Sequence, residues 1–151
     1  VLQFAFGGGS DNEYLPHNYT QNAVVYPGTH DNETLMQYLD CAQDHVRNHI
    51  REYMNRPHAS NGELCENLIW MAMSSVGKYC MIPLQDYLGL GKEARMNYPS
   101  TLGHNWEWRV RKEQLTHDLA GYIAHMTGLS YRWRIDPPKE EATNETDTEN
   151  E

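Results

Sequence analysis

Apolar and polar positions change rhythm several times along this chain, and each change marks an element. Residues 1–6, VLQFAF, are almost continuously apolar and stop at Gly7-Gly8-Gly9, the pattern of a short buried strand closed by a turn. Residues 10–22 are polar, contain YLPHNY and read as a loop. Residues 23–26, AVVY, form a second buried run that ends at Pro27-Gly28. From Glu33 the spacing becomes helical: Leu35, Met36 and Leu39 share a face, with Asn32 as the expected N-cap. A second helix is expected over 40–55, ending near Pro57. A third is expected over 63–75, with Leu64, Leu68 and Met71 facing inward and Gly77 as its stop. Residues 79–84, YCMIPL, predict a third strand, followed by the polar, glycine-containing loop QDYLGLGKEARMNYPSTLG. Thr116 caps a last helix over 118–127, whose apolar face carries Leu119, Tyr122, Ile123 and Met126.

Strands that alternate with helices argue for a parallel α/β sheet or barrel. The chain opens inside what reads as a strand, so a part N-terminal to Val1 is expected. The segment from Asp136 is Pro-Pro followed by acids, Thr and Asn. It cannot bury apolar surface and is expected to be a disordered acidic tail at 137–151, leaving 1–136 as the folded region.

The formal net charge of -9 excludes the basic surface that nucleic acid or anionic lipid requires. No apolar run is long enough to cross a bilayer, and no signal peptide is visible. The 3 cysteines, without a CxxC pair, fit reduced thiols and a cytoplasmic location. The Asn-x-Ser/Thr triplets at Asn18, Asn32 and Asn144 matter only in a secreted protein, and nothing else in the chain points to secretion.

In parallel α/β folds, functional groups gather where strands end. Three such places stand out: His17 and Asn18 after the first apolar run, His30-Asp31 after the second, and Gln85-Asp86 with Arg95 and Asn97 after the third. A rigid strand end would present His30 and Asp31 as oriented hydrogen-bonding groups. The competing reading makes Asp31, with Asn32, a helix cap. His45 and His49 are four apart on a helix, a spacing that suits zinc, but they lack an HExxH glutamate and read as a solvated face. Trp106 and Trp108 in NWEWR read as packing residues, with a sugar contact as the alternative.

The blocks VLQFAF, YLPHNY, VVYPGTHDNET, IPLQDYLGLG, EARMN and TLGHNWEWR run in order from Val1 to about Leu129. Together they resemble the C-terminal third of the 4-α-glucanotransferases, the amylomaltases or disproportionating enzymes of glycoside hydrolase family 77. That resemblance implies a (β/α)8 barrel, of which this chain would hold about the last three strands and their helices. It implies transfer of α-1,4-glucan segments between maltooligosaccharides by a retaining double displacement, with no cofactor and no metal. The aspartate nucleophile and the glutamate acid/base would lie on strands upstream of Val1. The family's third carboxylate follows a histidine, so the resemblance makes Asp31 the carboxylate that stabilises the transition state. It makes His30 and Asn97 substrate-binding residues, and this fragment alone inactive. Two other readings stay open: a non-catalytic glucan-binding half-barrel, and an unrelated α/β module that uses His30-Asp31 for a metal or a partner.

Overall fold

β-Branched side chains at the centre of the second apolar run build β1, Val24–Val25. It pairs in parallel with β2, Tyr79–Cys80, in the register Val24 to Tyr79 and Val25 to Cys80. The chain between the two strands crosses over through three helices, α1 (Leu35–Cys41), α2 (Asp44–Tyr53) and α3 (Asn61–Met73). Two more follow β2: the single turn α4 (Leu84–Tyr87) and α5 (His117–Leu129). This computed structural model describes residues 1–133, so the tail expected at 137–151 and the boundary expected at 136 lie outside the described residues.

The core lies between the N-terminal segment and α1–α3. Leu2, Phe6, Leu15, Leu35, Leu39, Ile50, Leu64 and Leu68 meet there, each with no more than 1% of its surface exposed. A capping box starts α3. The Ser60 side chain accepts from the Glu63 backbone N–H, and the Glu63 carboxylate accepts from the Ser60 N–H. The Ser60 N–H and hydroxyl both donate to the Glu63 carboxylate, and these two bonds hold it below its usual range. Arg132 closes the other end of α3 by donating to the carbonyls of Met73, Ser75 and Gly77. Thr116 caps α5 as expected, but of that helix only Met126 is buried.

Several elements depart from the sequence reading. Of the three expected strands, two form among the described residues, each 2 residues long. The run at residues 1–6 is not a strand but a 3-10 turn at Leu2–Phe4. Its buried positions are 2, 3, 5 and 6, with Phe4 half exposed against the Tyr14 ring, which is the spacing of a helical turn rather than of a pleat. The segment still lies beside the end of β1, because Leu2 N–H donates to Tyr26 O (2.8 Å) and Gln3 N–H to Pro27 O (3.0 Å). The third run, expected to be extended to Leu84, makes its last bond to β1 at Met81, whose N–H donates to Val25 O at 2.9 Å. Pro83 then takes the N-cap position of α4, a helical turn where the apolar pattern predicts the end of a strand and the start of a loop. The long helix expected over 40–55 is interrupted at Ala42 and Gln43, both extended, and restarts as α2.

Candidate functional site

The site begins where β1 ends. Pro27 and Gly28 turn the chain over the Gln3 side chain, whose Nε2 donates to Glu33 O at 2.8 Å. A Cβ on Gly28 would stand 2.9 Å from Gln3 Nε2, so a larger residue here would push the Gln3 amide away from Glu33 O. Within that arch residues 29–32 make a tight turn. Asn32 N–H donates to Thr29 O (3.1 Å), and Asn32 Oδ1 accepts from Thr29 N–H and Oγ1–H, both at 2.9 Å. Asn32 therefore holds the turn and does not cap α1. The cap is Thr34, whose Oγ1 accepts from Gln37 N–H at 3.2 Å. His30 and Asp31 are left at the tip of the turn, with side chains 56% and 50% exposed.

The second wall comes from the loop after α4. Gln85 Nε2 donates to Ala94 O (3.3 Å), which fixes the start of the segment carrying Arg95 and Asn97. Asn97 Nδ2 donates to Asp31 Oδ1 at 2.7 Å, and His30 Nε2 stands 3.3 Å from the same oxygen. Among the described residues, Asp31 Oδ2 makes no hydrogen bond. The structure thus brings together the three residues singled out in sequence, His30, Asp31 and Asn97, although 66 positions separate Asp31 from Asn97. Trp106, half exposed rather than packed away, brings its ring to 5.0 Å from His30. His30, Glu33, Gln85, Arg95 and Trp106 line a cleft of about 200 Å³.

Asp86 also lines this cleft, with 3% exposure and its Oδ1 accepting from Leu35 N–H at 2.8 Å. Burial pushes its carboxyl up to about 6, against the lowering effect of that one N–H. It joins α4 to the first residue of α1, four positions beyond Asp31.

Other candidates are engaged elsewhere. His17 bonds Ser10 O and Tyr53 Oη, both at 2.8 Å. A carbonyl can only accept, so Nε2 carries the proton and Nδ1 of the neutral ring accepts from the tyrosine. Asn18 donates to Ser10 O and Asn12 O. Both residues therefore tie down the glycine-rich loop and do not reach Asp31. His49 is no solvated residue: its Nδ1 is 3.0 Å from Phe6 O, and its ring packs edge-on to Phe6.

Beside this cleft, which His30 and Trp106 line and Asp31 and Asn97 do not, the turn tip offers a half-exposed carboxylate with one oxygen pinned by an amide, a neighbouring imidazole and an aromatic face. This set can hold and orient vicinal hydroxyls. Sequence reasoning passed over the tie made by Arg95, because its acceptors are mainly main-chain oxygens that leave no mark in composition. It also left Asp86 without a role, because burial is not readable at a single position.

The family model described as 4-alpha-glucanotransferase matches residues 1–116. The chain is 44% identical over 110 residues to "4-alpha-glucanotransferase, chloroplastic/amyloplastic" of Solanum tuberosum, covering 73% of this chain and 19% of that protein. It is 40% identical over 132 residues to the 4-alpha-glucanotransferase of Clostridium butyricum, covering 85% of this chain and 26% of the relative. Among solved structures, the amylomaltase from Streptococcus agalactiae in complex with acarbose matches with a TM-score of 0.81 at 30% identity, over 89% of this chain and 27% of that one. The chain thus spans about a fifth to a quarter of the length of the proteins it resembles.

Proposed function

Because the chain belongs to the 4-alpha-glucanotransferase family of glycoside hydrolase 77, we propose that it is the C-terminal part of an enzyme that transfers α-1,4-glucan segments between maltooligosaccharides. In this reading β1, β2 and the helices around them belong to the closing part of a (β/α)8 barrel. The reaction is a retaining double displacement whose nucleophile and acid/base are carried upstream of Val1. Asp31 stabilises the transition state, with His30 and Asn97 binding the sugar. The three thiols are unpaired, which supports a reducing compartment, the cytoplasm in our proposal.

One observation carries this reading: a carboxylate at the tip of a rigid turn, oriented by an amide from a distant loop. As the glycosyl ring flattens toward an oxocarbenium ion, its hydroxyls become better donors. A carboxylate waiting in fixed orientation then binds the transition state more tightly than the ground state. Asn97 holds Oδ1, so Oδ2 and the remaining lone pair of Oδ1 serve the sugar. His30 supplies a neighbouring nitrogen, and the two residues together span adjacent hydroxyls. Glu33 takes no such part, because its carboxylate pairs with Arg95 at 2.8 Å.

The test is Asp31→Asn in the complete enzyme that carries this segment. The amide keeps the shape and loses the charge. Charge-assisted hydrogen bonds are worth about 1.5–3 kcal/mol and transition-state contacts up to roughly 4, so maltotriose disproportionation should fall about a hundredfold or more. KM should move less, and the melting transition should not move. Near-normal turnover overturns the assignment. A complete protein that binds maltooligosaccharides but transfers none would instead support a non-catalytic glucan-binding module.

A further inference from the structure

Arg95 sits between the two loops of the site and uses all three of its nitrogens. Its Nε donates to Asn97 O at 3.0 Å, Nη1 to Glu33 Oε1 at 2.8 Å and Nη2 to Asp31 O at 2.9 Å. The side chain is 11% exposed, and its guanidinium lies 4.4 Å from the centre of the Tyr98 ring. A planar, rigid fork with one face covered has little freedom to hold its three acceptors in any other arrangement.

We propose that Arg95 is a positioning residue: by binding the main-chain oxygens of both Asp31 and Asn97, it fixes the two residues whose side chains meet at the sugar site. This rests on the reading of Asp31 given above. The contact between Asp31 and Asn97 is exposed and joins separate loops, so by itself it constrains neither loop strongly. Arg95 supplies the missing constraint. It takes the Asp31 carbonyl and leaves the carboxylate to the substrate, so it acts through geometry and not by neutralising the acid. Its third bond, to Glu33, anchors the guanidinium on the far side of the same turn. A displacement of about 1 Å at a reacting centre costs rate far more than binding, which sets the signature to look for.

A double-mutant cycle in the complete enzyme tests the proposal, with maltotriose disproportionation and melting measured for wild type, Arg95→Ala, Asp31→Asn and the pair. Arg95→Ala should lower kcat at least about tenfold and change KM less than about threefold. In the Asp31→Asn background the same change should cost less than about twofold, because the group it positions is already disabled. Losses that multiply across the cycle mark Arg95 as a structural ion pair only and overturn the proposal. Should Arg95→Ala not fold, Arg95→Lys replaces it in the cycle. A lysine keeps the charge but cannot serve three divergent acceptors in one plane, so kcat must again fall without multiplying, and wild-type kcat overturns the proposal. If Asp31→Asn itself turns over normally, the reading of Asp31 falls first and this inference falls with it.

Discussion

Asn97 Nδ2 donates to Asp31 Oδ1 over 2.7 Å, joining the turn after β1 to the loop after α4 across 66 residues. A free carboxylate at a half-exposed turn tip would rotate among several positions. The amide selects one of them, and the selection matters only when the carboxylate receives a hydroxyl. Asn97→Ala should therefore weaken catalysis more than it weakens the fold. With water replacing a half-exposed partner, the loss is about 1–1.5 kcal/mol, roughly tenfold in kcat for glucan transfer. Asn97→Asp should be worse, because two carboxylates would then face each other within hydrogen-bond distance. Steady-state kinetics of both variants, at one pH and saturating donor, checks the order; equal kcat for all three proteins would count against an orienting role.

Asp86 predicts a dependence of stability on pH. Burial raises its carboxyl to about 6 in the folded protein from an ordinary 3.8. Between those values the folded state binds the proton more than the unfolded state does, so stability falls as pH rises. The contribution is fully present below about pH 4 and lost as pH passes through 6. At pH 7.5 the ionised group costs about 3 kcal/mol. Asp86→Asn removes that cost and still accepts from Leu35 N–H. The variant should be as stable as wild type or more so at pH 7.5, and its urea midpoint should fall less steeply between pH 4 and 6. Titration of the midpoint for both proteins decides it; a clearly less stable variant at pH 7.5 would contradict the assignment.

What the sequence disclosed and what it hid divide by range. Helical spacing located α3 and α5, and the apolar run at 23–26 located β1, because these signals are local. The same signal failed at residues 1–6. There an apolar run without alternation suits a strand and a buried turn equally, and Leu2 and Gln3 settle into a turn by donating to Tyr26 O and Pro27 O. His30 and Asp31 were legible because a polar pair after a buried strand stands out, and because their surroundings match a family pattern. The contact from Asn97 and the tie made by Arg95 were not legible, since neither depends on spacing along the chain. Asn32 was misread as a cap for a related reason: Asn serves turns and helix starts alike, and only Thr29 and Thr34 decide between them.

The question of which residue caps α1 admits a direct test, since Asp31, Asn32 and Thr34 all precede the helix. Asp31 Oδ1 is engaged by Asn97, and Asn32 Oδ1 by Thr29. Thr34 is extended at φ -60 and ψ 157, and its Oγ1 accepts from Gln37 N–H. The neighbouring donor, Leu35 N–H, goes to Asp86, so two of the first amides of α1 are satisfied from different parts of the chain. Thr34 is 7% exposed, so water cannot readily replace its hydroxyl. Thr34→Ala should cost about 1 kcal/mol, within the roughly 0.5–2 found for caps, while Thr34→Ser should keep most of the stability by keeping the oxygen. Urea denaturation of the complete enzyme measures both, with Asp31→Asn alongside. A shifted midpoint for Thr34→Ala with an unmoved one for Asp31→Asn separates the residue that starts the helix from the residue proposed to meet the sugar. An unmoved Thr34→Ala with a destabilised Asp31→Asn would return Asp31 to the role of a cap.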